Sequence, residues 1–172
     1  MATSHGALAI AAITSCTTAT DPAMMVAAGL VAKKATDFGI ESKPWVKKIM
    51  APGSHATLEI LKRAHLTAPL EKLGFFTCGF GCTSILSGNR NFDGRISPDV
   101  AQNYLAEPAL VVAYSLVGTL DTDLSEEPVG TGKDGKPVML SDLLPADEEI
   151  RDVLAKVLTR DLYEEAAEGL FE

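Results

Sequence analysis

Leu8-Ala9-Ile10-Ala11-Ala12-Ile13-Thr14-Ser15-Cys16-Thr17-Thr18-Ala19-Thr20-Asp21-Pro22 reads as an apolar strand, a polar loop and the opening of a helix. The run Leu8 to Ile13 has the length and apolar character of a buried strand. Thr14 to Thr18 interrupt it with hydroxyls and one thiol. Asp21 is a good helix cap, and Pro22 suits the first helical position, where an amide hydrogen has no partner anyway. The helix is predicted from Ala23 to about Phe38, with Gly39 as its natural stop. Cys16 therefore lies in a strand-to-helix loop. In open α/β sheets, ligands bind outside the carboxyl ends of the strands, where such loops lie.

The same order recurs outward from this unit. Pro44 to Met50 is a candidate strand, Ala51-Pro52-Gly53 a turn, and Ser54 the cap of a helix from His55 to about Ala64. A short helix near Leu70 to Leu73 ends at Gly74. Phe75 to Phe80 then reads as a third strand, running into Gly81-Cys82-Thr83-Ser84. Ser97-Pro98 opens a helix to about Ala106, and Glu107-Pro108 opens another through Tyr114 and Leu116. Thr131 to Pro137 is a turn flanked by Val129 and by Val138 to Leu140, a small hairpin. Asp147 caps a last acidic stretch, helical from Glu148 to about Leu170, either a surface helix or a linker. Alternating strands and helices imply an α/β fold, a mostly parallel sheet with helices on its faces. The division expected is 1–7 as a tag-like or disordered start, 8–146 as the α/β domain and 147–172 as the helical segment.

Bulk composition narrows the function classes. Of 172 residues, 47% are hydrophobic, enough for a core and against global disorder. The net charge of -8 repels phosphate backbones, so nucleic acid is a poor default partner. No run of about 20 apolar residues is present, so no membrane span is expected. The first residues lack the features of a secretory leader, which makes the cytoplasm the default compartment, or an organelle matrix if a transit segment was removed.

Two sets of residues could carry chemistry. The three cysteines, Cys16, Cys78 and Cys82, are an odd number in a chain without a secretion signal, against a disulfide framework. They read either as buried free thiols or as metal ligands. Gly79 and Gly81 would let the backbone approach an inorganic cluster, and hydroxyls around Cys16 could hydrogen-bond to its sulfur. Zinc is the other candidate, but the spacing forms no familiar Cys-x-x-Cys pair. The second set is Leu86-Ser87-Gly88-Asn89-Arg90-Asn91-Phe92-Asp93-Gly94-Arg95. Guanidinium forks bind carboxylates bidentately and amides bind hydroxyl or carboxylate oxygens, so the run suits a small di- or tricarboxylate. The plainer alternative is two surface arginines paired with Asp93 and Asp99.

These segments together resemble the aconitase family. Ala11 to Thr17 is similar to the loop bearing that family's first cluster cysteine. Lys43-Pro44-Trp45-Val46-Lys47 with Ala51 to Ser54 is similar to the segment that follows. Gly79-Phe80-Gly81-Cys82-Thr83 resembles the approach to the second cluster cysteine, and Asn89 to Arg95 the substrate-binding loop. Asn103 to Ala106, Leu110 to Tyr114 and Gly132 to Val138 continue the likeness in order. It spans roughly Leu8 to Pro145 and is nearest to the branch of bacterial and cytosolic aconitases and iron-regulatory protein. The resemblance implies a three-layer α/β domain that in the parent enzyme binds a 4Fe–4S cluster. It implies Cys16 and Cys82 as iron ligands, and Asn89, Arg90 and Arg95 as binders of citrate, isocitrate or cis-aconitate. The implied reaction is dehydration and rehydration through cis-aconitate. The remaining domains would then be partners, as separate chains.

The sequence departs from the family's pattern in three ways. The second and third ligands should form a Cys-x-x-Cys pair, but Ile85 stands where the third is expected. The chain also passes from Ser84 almost directly to Leu86, so a turn, a helix and a strand are missing from that place, and the third ligand with them. Thr18-Ala19-Thr20-Asp21 replaces an asparagine-rich run. No catalytic residue is assigned, because His5, His55 and His65 match no catalytic motif and read as surface or cap residues. Two further functions compete with an incomplete hydro-lyase: a non-enzymatic remnant or protein-binding module, and an RNA-binding regulator, which the negative charge opposes.

Overall fold

Strand β1 (Ile10–Thr14) lies parallel to β2 (Lys47–Ala51), in a register running from Ile10 opposite Lys47 to Thr14 opposite Ala51. The computed structural model describes residues 6–14, 21–80 and 104–168, with side chains as far as Glu164. Parallel neighbours need a long crossover, and α1 (Pro22–Phe38) supplies it. Its start and stop are those the sequence predicts. Asp21 is the extended cap, its carboxylate accepting the Ala23 N–H at 2.8 Å. Gly39 ends the helix at φ 79°, a conformation a side chain resists.

Helix α1 is buried on nearly every side, from Met25 to Thr36. A helix apolar all round belongs in the middle of a core. It packs against α2 (His55–Arg63), α3 (Thr67–Lys72), α4 (Pro108–Val117), α5 (Leu140–Leu143) and α6 (Asp147–Val157). Its small residues Ala28, Gly29, Ala32 and Ala35 allow these close approaches. The expected hairpin is present: β3 (Gly130–Thr131) pairs antiparallel with β4 (Pro137–Val138) around a turn with Gly135 at φ 77°. The architecture is thus mixed, helices around two small sheets. Among the described residues no helix is long and apolar enough to cross a membrane.

Several details differ from the sequence reading. The strand expected from Pro44 begins only at Lys47, because Lys43 to Val46 form a turn in which the Val46 N–H donates to the Lys43 carbonyl. The third strand is reduced to one parallel bridge, Thr77 to Met50, held by Met50 N–H to Phe76 O and Cys78 N–H to Met50 O. Cys78, expected to be buried in that strand, is exposed. Tyr104 to Ala106, expected at the end of a helix, are not helical; Glu107 is extended at ψ 146° before Pro108, as the proline ring demands. The rest of that expected helix, residues 98–103, lies outside the described residues.

The final helical stretch is two helices. Helix α6 stops at Val157, and α7 (Arg160–Glu168) turns onto α2. Ala146, not Asp147, holds the cap position of α6. Val157 and Leu162, on either side of the break, are both buried. Lys34 of α1 pairs with Glu149 of α6 at 2.8 Å. Arg63 of α2 reaches Thr159 at 2.8 Å and Asp161 at 2.9 Å. The Thr159 hydroxyl first, and then Arg63, hold the Asp161 carboxyl below the usual carboxylate range. A carboxyl lowered on folding contributes stability that is present above its unfolded value and is lost as pH falls through its folded value. Amide exchange in α7 is therefore expected to quicken, relative to α1, as the solution is acidified through that range. Asp161→Asn should flatten this pH dependence.

Candidate functional site at the carboxyl edge of the parallel strands

Three parallel segments end side by side. Thr14 ends β1 opposite Ala51, which ends β2, and Thr77 bridges Met50 on the far side of β2. From this edge the chain departs at Thr14 toward Cys16, and at Phe80 toward Cys82 and the Asn/Arg run. Cys16, Cys82, Asn89, Arg90 and Arg95 all lie outside the described residues, as does Ile85. The described rim is made by the turn after β2, the start of α2 and the segment after Thr77.

Pro52 and Gly53 are buried in that turn. Ser54 caps α2 as predicted, its hydroxyl accepting the Thr57 N–H at 3.3 Å. Next to it the His55 ring stacks on Phe80, with centroids 3.8 Å apart and planes 24° apart. Sequence reasoning gave His55 only a surface or cap role. No local signal links it to a phenylalanine 25 residues away; the contact exists because β2 and the Thr77 segment are neighbours. His65 is exposed and sits at φ 57°, a backbone requirement after α2, not a chemical one.

The amino end of the same sheet has a different character. Lys48 Nζ donates to Ser42 Oγ and to the Lys43 carbonyl, both at 3.0 Å, and Ser42 Oγ donates to the Leu73 carbonyl at 2.7 Å. Burial pushes the Lys48 amine below its ordinary value. This pin ties β2 to the chain before it and to the end of α3. Trp45 adds a tie, its Nε1 donating to Gly118 O at 3.2 Å. Residues 6–8 close the other side, with Leu8 N–H donating to Gly118 O and Leu120 N–H to Gly6 O.

Among the described residues no three His, Cys, Asp or Glu side chains are grouped to hold a metal ion. The donor chemistry of the whole chain can still be tested against a three-thiolate 4Fe–4S site. The chain has three cysteines, and Ile85 stands where the resemblance places a third ligand. The only remaining thiol, Cys78, is exposed four residues before Cys82. The residues present therefore do not fit the complete group.

Comparison with known proteins bears on what this edge is for. The model of the aconitase family (aconitate hydratase) matches residues 1–118. A phosphinomethylmalate isomerase of Streptomyces viridochromogenes is 47% identical over 190 aligned positions, covering 96% of this chain and 21% of that protein. Aconitate hydratase A of Pseudomonas aeruginosa is 47% identical over 189 positions, covering 95% and 21%. Aconitate hydratase A of Corynebacterium glutamicum is 45% identical over 185 positions, covering 93% and 20%. The chain thus spans about a fifth of the length of these relatives. The Pseudomonas alignment runs over 189 positions, whereas 95% of 172 residues is about 163, so about 26 aligned positions have no residue here. With a family match over more than half its length and relatives this similar over nearly all of it, the chain belongs to the aconitase family.

Proposed function

We propose that this chain is the cluster-side, substrate-loop part of an aconitase-type hydro-lyase, incomplete in its third iron ligand. In this reading Cys16 and Cys82 are thiolate ligands, and Asn89, Arg90 and Arg95 bind the carboxylates and hydroxyl of a small di- or tricarboxylate. The fold would be the family's three-layer, mostly parallel sheet with helices on both faces. It would occupy residues 8–146, followed by the helical segment 147–172, in a cytoplasmic protein. The observation that carries the reading is the shared carboxyl edge. Thr14 and Phe80, the last described residues before the two loops, each stand two residues from a cysteine. Two residues of extended chain span about 7 Å, short enough for both thiolates to reach one cluster beside that edge. The amino ends of α1 and α2 follow the loops leaving β1 and β2, and such ends favour anions.

The chain's own residues would do the binding work. A bidentate guanidinium fixes a carboxylate in plane and in register. Two of them, with the Asn89 amide, would orient a hydroxy acid at the mouth of the edge. Aconitate hydratases and a phosphinomethylmalate isomerase match this chain at similar identity, which supports a small multi-anionic hydroxy acid as the ligand class. Turnover would need the rest of an aconitase, because this stretch by itself cannot exclude water from the substrate. The two-thiolate donor set also favours a second reading, a carboxylate-binding module that does not turn its ligand over.

Calorimetric titration with citrate separates these loops from bystanders. A charge-assisted hydrogen bond is worth about 1.5–3 kcal/mol, so Arg90→Ala and Arg95→Ala are each expected to weaken citrate binding roughly ten- to a hundredfold. Equal affinity in wild type and both variants would refute the assignment.

A further inference from the structure

We infer that this chain does not assemble the open-iron cubane of its family, and that Cys78 does not replace the missing third thiolate. The inference rests on the proposed roles of Cys16 and Cys82 and sets their limit. With Ile85 at the expected third position one donor is lost, and Cys78 is the only other thiol in the sequence. Its surroundings decide whether it can serve.

From Phe75 the exposure alternates residue by residue: Phe75 buried, Phe76 exposed, Thr77 half-buried, Cys78 exposed, Gly79 half-buried, Phe80 exposed. That is the period of extended chain, in which alternate side chains share a face. The Cys78 thiol therefore shares a face with Phe76 and Phe80. The backbone on both sides of Thr77 is bonded to Met50, at 3.1 Å through Phe76 O and 2.9 Å through Cys78 N–H. These two bonds fix the pairing of the segment, and reorienting Cys78 would require a one-residue slip that turns every neighbour over as well. Midway between Cys78 and Cys82, Phe80 is held on the His55 ring. The linker that would have to fold both sulfurs onto one cluster is thus anchored at its centre. Two thiolates would leave two irons of a cubane without protein ligands, whereas such clusters are ordinarily held by four cysteines, or by three with one iron left open.

The test is anaerobic loading of the full chain with ferrous iron and sulfide, followed by desalting and counting of both. Wild type, Cys16→Ser, Cys78→Ser and Cys82→Ser are treated alike, and the Pseudomonas aeruginosa aconitate hydratase A serves as the loading control. Wild type is expected to keep at least fourfold less iron than the about four atoms of a full cubane, with no sulfide-to-iron absorption. What iron it keeps should be unchanged in Cys78→Ser and lost in Cys16→Ser and Cys82→Ser. About four irons per chain would overturn the inference, whether or not Cys78→Ser abolished them. Sparse iron indifferent to Cys16 and Cys82 would overturn it differently, by removing the ligand assignment on which it stands. Circular dichroism of each variant excludes unfolding as the cause.

Discussion

Replacing Phe75 by alanine is expected to lower the folding free energy by about 3–5 kcal/mol, the usual loss when a buried aromatic ring leaves a cavity. The ring is fully buried, in one continuous core with Met50, Leu70 and Leu73. Its amide is also fixed, donating to the Leu70 carbonyl at 2.9 Å. The backbone therefore cannot follow the shortened side chain inward, and the cavity stays open. A domain of this size gains only about 5–15 kcal/mol from folding, so the loss is a large share of the whole. It corresponds to a fall in Tm of roughly 10 °C. Phe75→Leu keeps most of the volume and should cost less than about 1.5 kcal/mol. Urea denaturation followed by circular dichroism measures both. A loss below about 1 kcal/mol for alanine would mean that the site collapses around the gap. The effect also reaches the candidate site, because Phe75 lies directly before the residues that bond to Met50. Exchange of the Cys78 amide should quicken more in Phe75→Ala than that of amides in α6.

The elements legible in the sequence were those whose ends carry local chemistry. Asp21-Pro22 and Gly39 delimit α1, Ser54 caps α2, and Pro108 starts α4, because each of these residues acts on its own turn of chain. The strand after Pro44 was placed three residues early since alternation alone does not mark a turn; the Val46-to-Lys43 hydrogen bond does. The break after Val157 was illegible for another reason. The local pattern favours helix throughout, and only the presence of α2, with Arg63 waiting for Thr159 and Asp161, makes the bend favourable. Cys78 was misjudged because an apolar setting, Phe75-Phe76 before it and Phe80 after it, suggests burial, whereas the outer face of a single-bridge strand is exposed. For the candidate site, the donors assigned from the sequence lie outside the described residues. The geometry adds what no local pattern holds: that the β1 and Thr77 segments leave the sheet at one edge, where the His55 ring stacks on Phe80.

The opposite perturbation, adding atoms instead of removing them, is expected to be nearly as damaging at Gly29. In isolation, Gly29→Ala should help, since alanine is better than glycine in a helix by about 1 kcal/mol. Here the new Cβ would come 2.7 Å from Leu66 Cβ and 2.9 Å from Leu66 Cδ1. Overpacking of this kind costs typically about 1–3 kcal/mol, so alanine should be net destabilising and Gly29→Val worse, by about 3 kcal/mol. The sign depends on whether Leu66 can retreat. Its side chain is buried, its amide donates to the Leu61 carbonyl at 2.8 Å, and it follows His65 in the left-handed region. Rotation about the side-chain bonds moves Cδ1 but leaves Cβ where it is. Combining Gly29→Ala with Leu66→Ala distinguishes the two contacts. If the Cβ contact dominates, Leu66→Ala does not relieve the strain, and the two losses add or exceed additivity in a double-mutant cycle. If Gly29→Ala becomes neutral or stabilising in the Leu66→Ala background, the obstruction is the flexible tip. The seam between α1 and α3 would then be softer than the contact between the two Cβ positions implies. The seam matters for the site because α1 descends directly from the loop that carries Cys16. A shift along it would be delivered to Asp21 and Pro22, where that loop rejoins the described fold.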